Sequence, residues 1–319
     1  MKRSFETDPK TTRVDFYAEM VYNGHIMILV DLNQVMISNL MAQIGSHTNI
    51  DLDENLLRHM VLNALRGYKN KFSAEYGELV ICCDSTNIWR KDVYPYYKAH
   101  RKKARQDSDL DWSQLFDSLN KIRDELKEFF PYKHITVDKA EADDIIGVIC
   151  HEHGAILGDG AEKILIMSGD KDFAQLQIYT NVYQYDPVRK RKLRHDKPEQ
   201  YLIEHILKGD RGDGIPNVLS QDDCFVAGIR QKPLRQTAIN KIVETVSMLT
   251  IDSVEHHCID DWVPNFVRNR QLVDLNYTPE YLKAQVLEEF NKPTRGRESL
   301  FNYFIKSKLT NLMESISEF

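Results

Sequence analysis

Three short apolar runs, each leading into an aspartate, constrain this chain more than any other feature. Ile26-Met27-Ile28-Leu29-Val30 runs into Asp31, and Leu79-Val80-Ile81-Cys82-Cys83 runs into Asp84. Ile164-Leu165-Ile166-Met167 is followed by Ser168-Gly169-Asp170. Uninterrupted apolar runs of this length predict strands of a parallel sheet, because polar alternation disappears when neither face meets water. Residues 134–137 and 182–185 are expected to add a fourth and a fifth strand. Leu56, Leu57, Met60, Val61, Ala64, Leu65 and Tyr68 recur at helical spacing, as do Trp112, Leu115, Leu119, Ile122, Leu126 and Phe129. Residues 140–153 read as a further helix. Strands alternating with helices imply βαβ units joined by right-handed crossovers. The expected class is α/β, a mainly parallel central sheet flanked by helices. From about residue 196 the pattern turns helical, with short Gly- and Pro-containing turns.

In an open α/β sheet, ligands gather outside the carboxyl ends of the strands. Asp31, Asp84 and Asp170 stand at such ends, so the fold is expected to bring them to one edge. Glu141, Asp143 and Asp144 follow the fourth strand at the start of a helix and are expected to open on the same edge. Asp172 lies two residues beyond Asp170, and Asp210 and Asp213 sit in Gly-Asp-Arg-Gly-Asp-Gly-Ile-Pro beyond the sheet. Converging carboxylates raise one another's pKa and oppose folding. Hard divalent cations relieve this, and an oxygen-only set suits Mg²⁺ or Mn²⁺. Two such ions, roughly 3.5–4 Å apart, can activate water and stabilise the leaving oxygen of a phosphodiester. Helix N-termini also favour acids without a metal, and Asp172 and Asp213 suit turns or caps, so each acid alone carries a structural reading too. Asp31, Asp84, Asp143 and Asp170 taken jointly point to a site.

A length of 319 residues suits one large α/β domain with appendages or two modest domains. No apolar run reaches the length of a membrane span, and residues 1–24 are polar, without the apolar segment of a signal peptide. A soluble cytoplasmic protein with no membrane partner is expected. The cysteines Cys82, Cys83, Cys150, Cys224 and Cys258 form no CxxC pair, which favours a reducing compartment and no structural zinc. The net charge of −6 conceals basic concentrations at 90–105 and 189–197, so it does not exclude a local phosphate-binding surface.

These motifs resemble the flap endonuclease and 5′-exonuclease family. The resemblance rests on Leu-Val-Asp-Leu-Asn around Asp31, Cys-Cys-Asp at Asp84 and Glu-Ala-Asp-Asp at 141–144. It continues in Ser-Gly-Asp-Lys-Asp-Phe-Ala-Gln-Leu at 168–176 and Gly-Asp-Arg-Gly-Asp at 209–213. Between them stands the basic motif Trp-Arg-Lys-Asp-Val-Tyr-Pro-Tyr-Tyr-Lys-Ala-His-Arg at 89–101, and the run from Arg295 onward looks like the phage ribonuclease H branch. Each motif is short, but together, in this order, they are specific. The resemblance implies a PIN-like 5′-nuclease core at 25–195 carrying a helical arch at about 89–111, after an extension at 1–24. A mainly helical C-terminal domain would follow at 196–319. It implies that Asp31, Asp84, Asp143 and Asp170 hold a first ion, with Glu141 and Asp144 in or behind that shell. Asp172, Asp210 and Asp213 would hold a second, Mg²⁺ in both places with Mn²⁺ able to substitute. Lys98 and Arg90 would contact the scissile phosphate, since a cation beside the ions stabilises transition-state charge. Tyr97, Arg101, Lys102, Lys103 and Arg105 would bind nucleic acid, against the plainer reading of a solvated helix face.

The implied activity is a monomeric 5′→3′ exonuclease and flap endonuclease that removes RNA primers from RNA·DNA and DNA·DNA duplexes. The phage likeness also implies docking on a sliding clamp through Phe16, Tyr17, Met20 and Val21, although terminal aromatic residues more often simply pack on the parent domain. It further implies contact with single-strand binding protein through the C-terminal domain. The chain departs from the family after Asp213. Many relatives continue Asn-Ile-Pro-Gly and then carry a Gly-Ile-Gly helix–turn–helix that grips duplex DNA. Here Gly214-Ile215-Pro216-Asn217 and Gly228-Ile229-Arg230-Gln231-Lys232 stand instead, with Lys232, Arg235 and Lys241 as alternative phosphate contacts or a plain surface helix. A toxin-type endoribonuclease on a related sheet would lack Asp172, Asp210, Asp213 and the arch motif. A catalytically silent DNA-binding subunit would have lost its acids, and none is missing.

Overall fold

The computed structural model describes residues 27–44, 53–108, 110–156, 162–248 and 261–319. The extension at 1–24, with its expected clamp-docking residues, lies outside them. The apolar runs form a sheet: β1 (Met27–Asp31), β2 (Glu78–Cys82), β3 (Lys133–Ile135), β4 (Ile164–Met167), β5 (Val182–Asp186) and β6 (Arg191–Leu193). The order is β3-β2-β1-β4-β5-β6, parallel except for the antiparallel pair β5–β6. The chain moves outward from β1 to β3, then returns to place β4 on the other side of β1. That reversal makes the β1–β4 boundary a topological switch point, where crossovers diverge to opposite faces and leave a crevice at the carboxyl ends.

Alternate residues of each strand feed two cores. Ile28, Val30, Leu79, Ile81, Leu165 and Met167 face α1 (Leu32–Ile44), α2 (Glu54–Tyr76) and α5 (Trp112–Phe129). Met27, Leu29, Val80, Cys82, Ile164 and Ile166 face α6 (Ala142–His153) and α10 (Glu280–Asn291). Gly147 lets α6 approach closely, since a Cβ there would meet the Leu275 side chain at 3.0 Å. The arch consists of α3 (Trp89–Val93) and α4 (His100–Gln106). Beyond the sheet follow α7 (Pro198–Lys208), α8 (Gln236–Met248) and α9 (Val263–Val273). Their own small core also takes in Tyr94 and Tyr97 from the foot of the arch.

Three differences from the sequence reading have physical causes. The helix α1 has no sharp polar stripe, because Leu32, Val35, Met36 and Leu40 are all buried under the sheet. Part of the basic run at 189–197 is a strand, the edge strand β6, whose exposed lysine and arginine protect an open sheet edge. Residues 275–319 are not part of a separate helical body: α10 covers one face of the sheet, while α11 (Leu300–Lys306) and α12 (Thr310–Met313) cover the other. After residue 196 the chain first builds the core of α7–α9 and then returns to both faces of the sheet.

Candidate active site

The crevice at the switch point gathers carboxylates from β1, β2, α6 and β4. Asp31 accepts from the Gln34 amide (3.1 Å) and the Ser168 hydroxyl (3.1 Å), tying β1 to the end of β4. Asp84 accepts from the Asn33 side-chain amide (2.7 Å) and from the Ala142 amide (2.7 Å), the first residue of α6. One acid is thereby stitched to two helices, and the helix N-terminus favours its charge. Asp170 accepts from the Asp172 amide (3.0 Å) at the start of the 3-10 segment Lys171–Ile178. Asp143, in the first turn of α6, has no ion-pair partner among the described residues and faces Asp170 and Asp31.

This gathering is electrostatically strained. Burial, then repulsion from Asp84 and Asp170, pushes the Asp31 carboxyl up to about 7. Burial followed by Asp170 and Asp31 lifts Asp143 well above its usual range, and burial with Asp213 and Asp210 lifts Asp170. A second group lies beside it: Asp172, His205 and Asp210 each offer a ligand atom, all within 4.8 Å of one another. His205 Nε2 is 3.1 Å from Asp210 Oδ2 and Nδ1 is 3.6 Å from Asp172 Oδ1. Burial, then Asp170, raises Asp172 well above its usual range. Burial would raise Asp210 too, but hydrogen bonds from His205 and Lys171 (Nζ at 2.8 Å) outweigh it and hold the carboxyl low. Asp213 turns the other way, toward Arg101 (2.6 Å) and Lys98 (3.7 Å).

Glu141 and Asp144 stand behind the first group. Asp144 is fully buried and accepts from Trp89 Nε1 (3.1 Å), Arg90, the Glu141 amide (2.9 Å) and the Thr278 hydroxyl (3.0 Å). Every oxygen of Asp144 is engaged, so it buttresses the site instead of ligating. Arg90 is 2% exposed and spans Glu141 (2.9 Å), Asp144 (2.8 Å) and the Leu272 carbonyl (2.9 Å). Its expected contact with the scissile phosphate is corrected: the guanidinium is a buried clamp with no face toward solvent. Tyr97 is corrected likewise. Its ring is buried beneath the Lys98 ammonium (4.9 Å), and its hydroxyl lies between Glu141 and Asp213. Lys98 reaches Glu141 from the open side, 2.5 Å from its Oε1, its backbone held in the left-handed region (φ 55°) by a hydrogen bond to the Asp213 carbonyl. Burial would raise the Glu141 carboxyl, but Lys98 and Arg90 hold it down at about 2.

These residues fit divalent cations. Repelling buried carboxylates that lack a counter-charge, and the orphaned buried atoms Asp172 Oδ1 and His205 Nδ1, are features that an ion would satisfy. A pH dependence follows. A carboxyl raised from 3.8 to about 7 on folding favours its protonated form in the folded state. The stability it contributes is present below pH 4 and is lost as pH rises toward 7. Cations bind the deprotonated form, so the rise in melting temperature on adding Mg²⁺ or Mn²⁺ is expected to be small at pH 5 and to grow through pH 7. Thermal melts with and without metal across that window check this; a metal shift independent of pH contradicts it.

A cleft of about 890 Å³ opens directly from these acids. Asp84, Lys98 and Glu141 line one end, and Lys91, Lys102, Arg105 and Trp112 the other. Lys102 and Lys103 are exposed on α4, Arg105 lies over Trp112 and Phe116, and Arg101 is tied to Asp213 and to the Gly212 carbonyl (2.9 Å). Beyond Asp213 the chain turns at Gly214, where φ is 75° and a Cβ would meet His100 at 2.9 Å. Glycine meets both demands, having no Cβ to strike His100 and no penalty for the positive φ. The following segment is held by Asn217, which bonds the Lys232 carbonyl (2.9 Å) and Gln231 (2.7 Å), leaving Lys232 and Arg235 exposed. Sequence reasoning missed His205 and Asn33. The signals were there: His205 falls one turn before Gly209-Asp210 on an amphipathic helix, and Asn33 falls two residues after Asp31.

A crevice of carboxylates at an α/β switch point, opening on a basic cleft, defines a metal-dependent nuclease acting on nucleic-acid strands. The chain belongs to the 5′-3′ exonuclease family: residues 27–205 match its N-terminal resolvase-like domain, and residues 196–319 match the T4 RNase H C-terminal domain. It is 32% identical to ribonuclease H of Enterobacteria phage T4 over 91% of this chain and 95% of that protein. It is 28% identical to a 5′-3′ exonuclease of Buchnera aphidicola over 49% of this chain and 51% of that one. Among solved structures, the bacteriophage T5 flap endonuclease, captured with DNA and metal ions, shares the fold with a TM-score of 0.57 at 16% identity. That match covers 92% of this chain and 99% of the other. The T5 5′-exonuclease with bound zinc matches with a TM-score of 0.53 at 15% identity, covering 89% of this chain and 98% of the other. The protein is a metal-dependent 5′-nuclease. Among the described residues, no helix is long and apolar enough to cross a membrane.

Proposed function

We propose that this nuclease removes RNA primers and 5′ flaps during phage DNA replication, using two Mg²⁺ ions, for which Mn²⁺ can substitute. The observation that carries the reading is the continuity of the acidic crevice with the cleft under the arch, with Lys98 at the junction. Asp31, Asp84, Asp143 and Asp170 would hold one ion, and Asp172 and Asp210 the other. Ions at such a site supply activation of water and neutralisation of charge on the leaving oxygen.

The chain's own residues do the rest. Lys102, Arg105 and their neighbours draw a strand into the cleft through its phosphates, without reading bases. Trp112 offers a stacking face beside them. Lys98 points its ammonium at the place where the scissile phosphate meets the acids, and stabilises charge that grows in the transition state. Glu141, kept ionised, holds Lys98 in that position. Lys232 and Arg235 would contact duplex phosphates behind the nick. In the same reading the protein acts as a monomer in the host cytoplasm, docks on a sliding clamp through its N-terminal extension, and meets single-strand binding protein through residues 196–319.

The test is a product analysis on labelled flap, nicked and RNA-primed duplexes. Short 5′ products are expected with Mg²⁺ and none in EDTA; equal cutting in both would refute the metal reading. Lys98→Ala is expected to lower kcat by about 10²-fold, the typical loss of one transition-state donor. A change below about threefold would remove Lys98 from the chemistry.

A further inference from the structure

We propose that the ion at Asp172 and Asp210 takes a nitrogen ligand, His205, which makes this position selective for a transition cation such as Zn²⁺ or Mn²⁺ over Mg²⁺. The inference rests on the metal-dependent reading above and deepens it.

His205 is buried near the end of α7, its side chain 5% exposed, with its ring against Tyr201 (centroids 5.8 Å apart). Its two nitrogens meet two different acids. Nε2 lies at hydrogen-bond distance, 3.1 Å, from Asp210 Oδ2. Nδ1 lies 3.6 Å from Asp172 Oδ1, too far for a hydrogen bond, and both of those atoms are buried without any hydrogen-bond partner. Two buried polar atoms left unpaired in this way are costly, and a cation placed between them would satisfy both. The same separation suits two ligands of one ion: bonds of about 2.0–2.2 Å meeting at a tetrahedral angle place their atoms about 3.4 Å apart.

The surrounding contacts set the ring for that role. With Nε2–H donated to Asp210, the lone pair sits on Nδ1 and faces Asp172. A carboxylate that fixes the tautomer of a ligating histidine is a recurring support in metal sites. Lys171, now 2.8 Å from Asp210, has a side chain 55% exposed and can withdraw to water when an ion supplies the positive charge. The first group differs in kind, since Asp31, Asp84, Asp143 and Asp170 present oxygen alone. Imidazole suits Zn²⁺ and its neighbours in the transition series and is accepted by Mn²⁺, whereas Mg²⁺ holds to oxygen. The two positions of this crevice are therefore chemically unequal.

Pulsed electron paramagnetic resonance of Mn²⁺ titrated into the tag-free full chain tests this. Nitrogen-14 modulation is expected on bound Mn²⁺, replaced by nitrogen-15 modulation when the protein is labelled with ¹⁵N-histidine. In His205→Gln the modulation is expected to vanish and one Mn²⁺ to bind at least about tenfold more weakly, with Mg²⁺ binding unchanged. Mn²⁺ bound with no nitrogen coupling in the unmodified chain overturns the inference and leaves the metal reading standing. No Mn²⁺ binding overturns both. Because the unmodified chain decides, a His205→Gln variant that failed to fold would not leave the matter open.

Discussion

Asp143→Asn is expected to cut the rate of flap and nick cleavage by about 10³-fold under saturating Mg²⁺, equivalent to about 4 kcal/mol of barrier. The same substitution is expected to raise the melting temperature of the metal-free protein. Both effects have one cause. Asp143 is pressed against Asp170 and Asp31 with only Lys98 as a distant counter-charge, so without an ion it opposes folding. An amide of the same shape relieves that repulsion and forfeits the charge that an ion requires. Rates on labelled substrates and melts in EDTA check the pair. Parental cleavage by Asp143→Asn would remove Asp143 from the metal set; a lower metal-free melting temperature would show that the repulsion is absent.

Arg90→Ala is expected to destabilise the fold by about 3–5 kcal/mol, the cost of stranding buried carboxylates without their partner. Glu141 and Asp144 are 2% and 0% exposed, and neither can escape to water when the guanidinium is removed. Urea unfolding checks this through the midpoint. A loss below about 1 kcal/mol would mean that the clamp is dispensable. Arg90→Lys is expected to recover little, because one ammonium cannot span both acids and the Leu272 carbonyl together.

Much of the sheet was legible because its signal is local. All five expected strands form and run parallel to one another, and β1, β2 and β4 carry their apolar runs within a few residues. The convergence of Asp31, Asp84, Asp143 and Asp170 was legible for a different reason: strand ends of a parallel sheet share an edge whatever lies between them. What failed was the distinction between charge facing water and charge facing acids. Arg90 and Lys98 belong to one basic motif eight residues apart, yet Arg90 points inward and Lys98 points to the cleft. Nothing in residue type separates them; the turn at Lys98 and the packing of Trp89 do. The helix α1 escaped notice because its half-buried face also carries apolar Ile37 and Met41, which blurs the periodicity. The change from strands to helices at 196 was legible, whereas the return of Leu300, Tyr303 and Phe304 to the first core was not, because nothing local in those residues says which face they cover.

That return has a consequence for the order in which the protein is made. The carboxylates from Asp31 to Asp213 are all synthesised before the segment that covers the sheet beside α5. Until residues 300–319 are made, the Phe130 ring just beyond α5 lacks Tyr303, Phe304 and Phe319, the rings that pack on it. Contacts closed over such sequence separations form late and slowly. A nascent chain thus holds its full complement of acids while its scaffold is still loose. Closure of the scaffold around the acids therefore waits on the docking of residues 300–319, which lie far along the chain from the strands they help to cover.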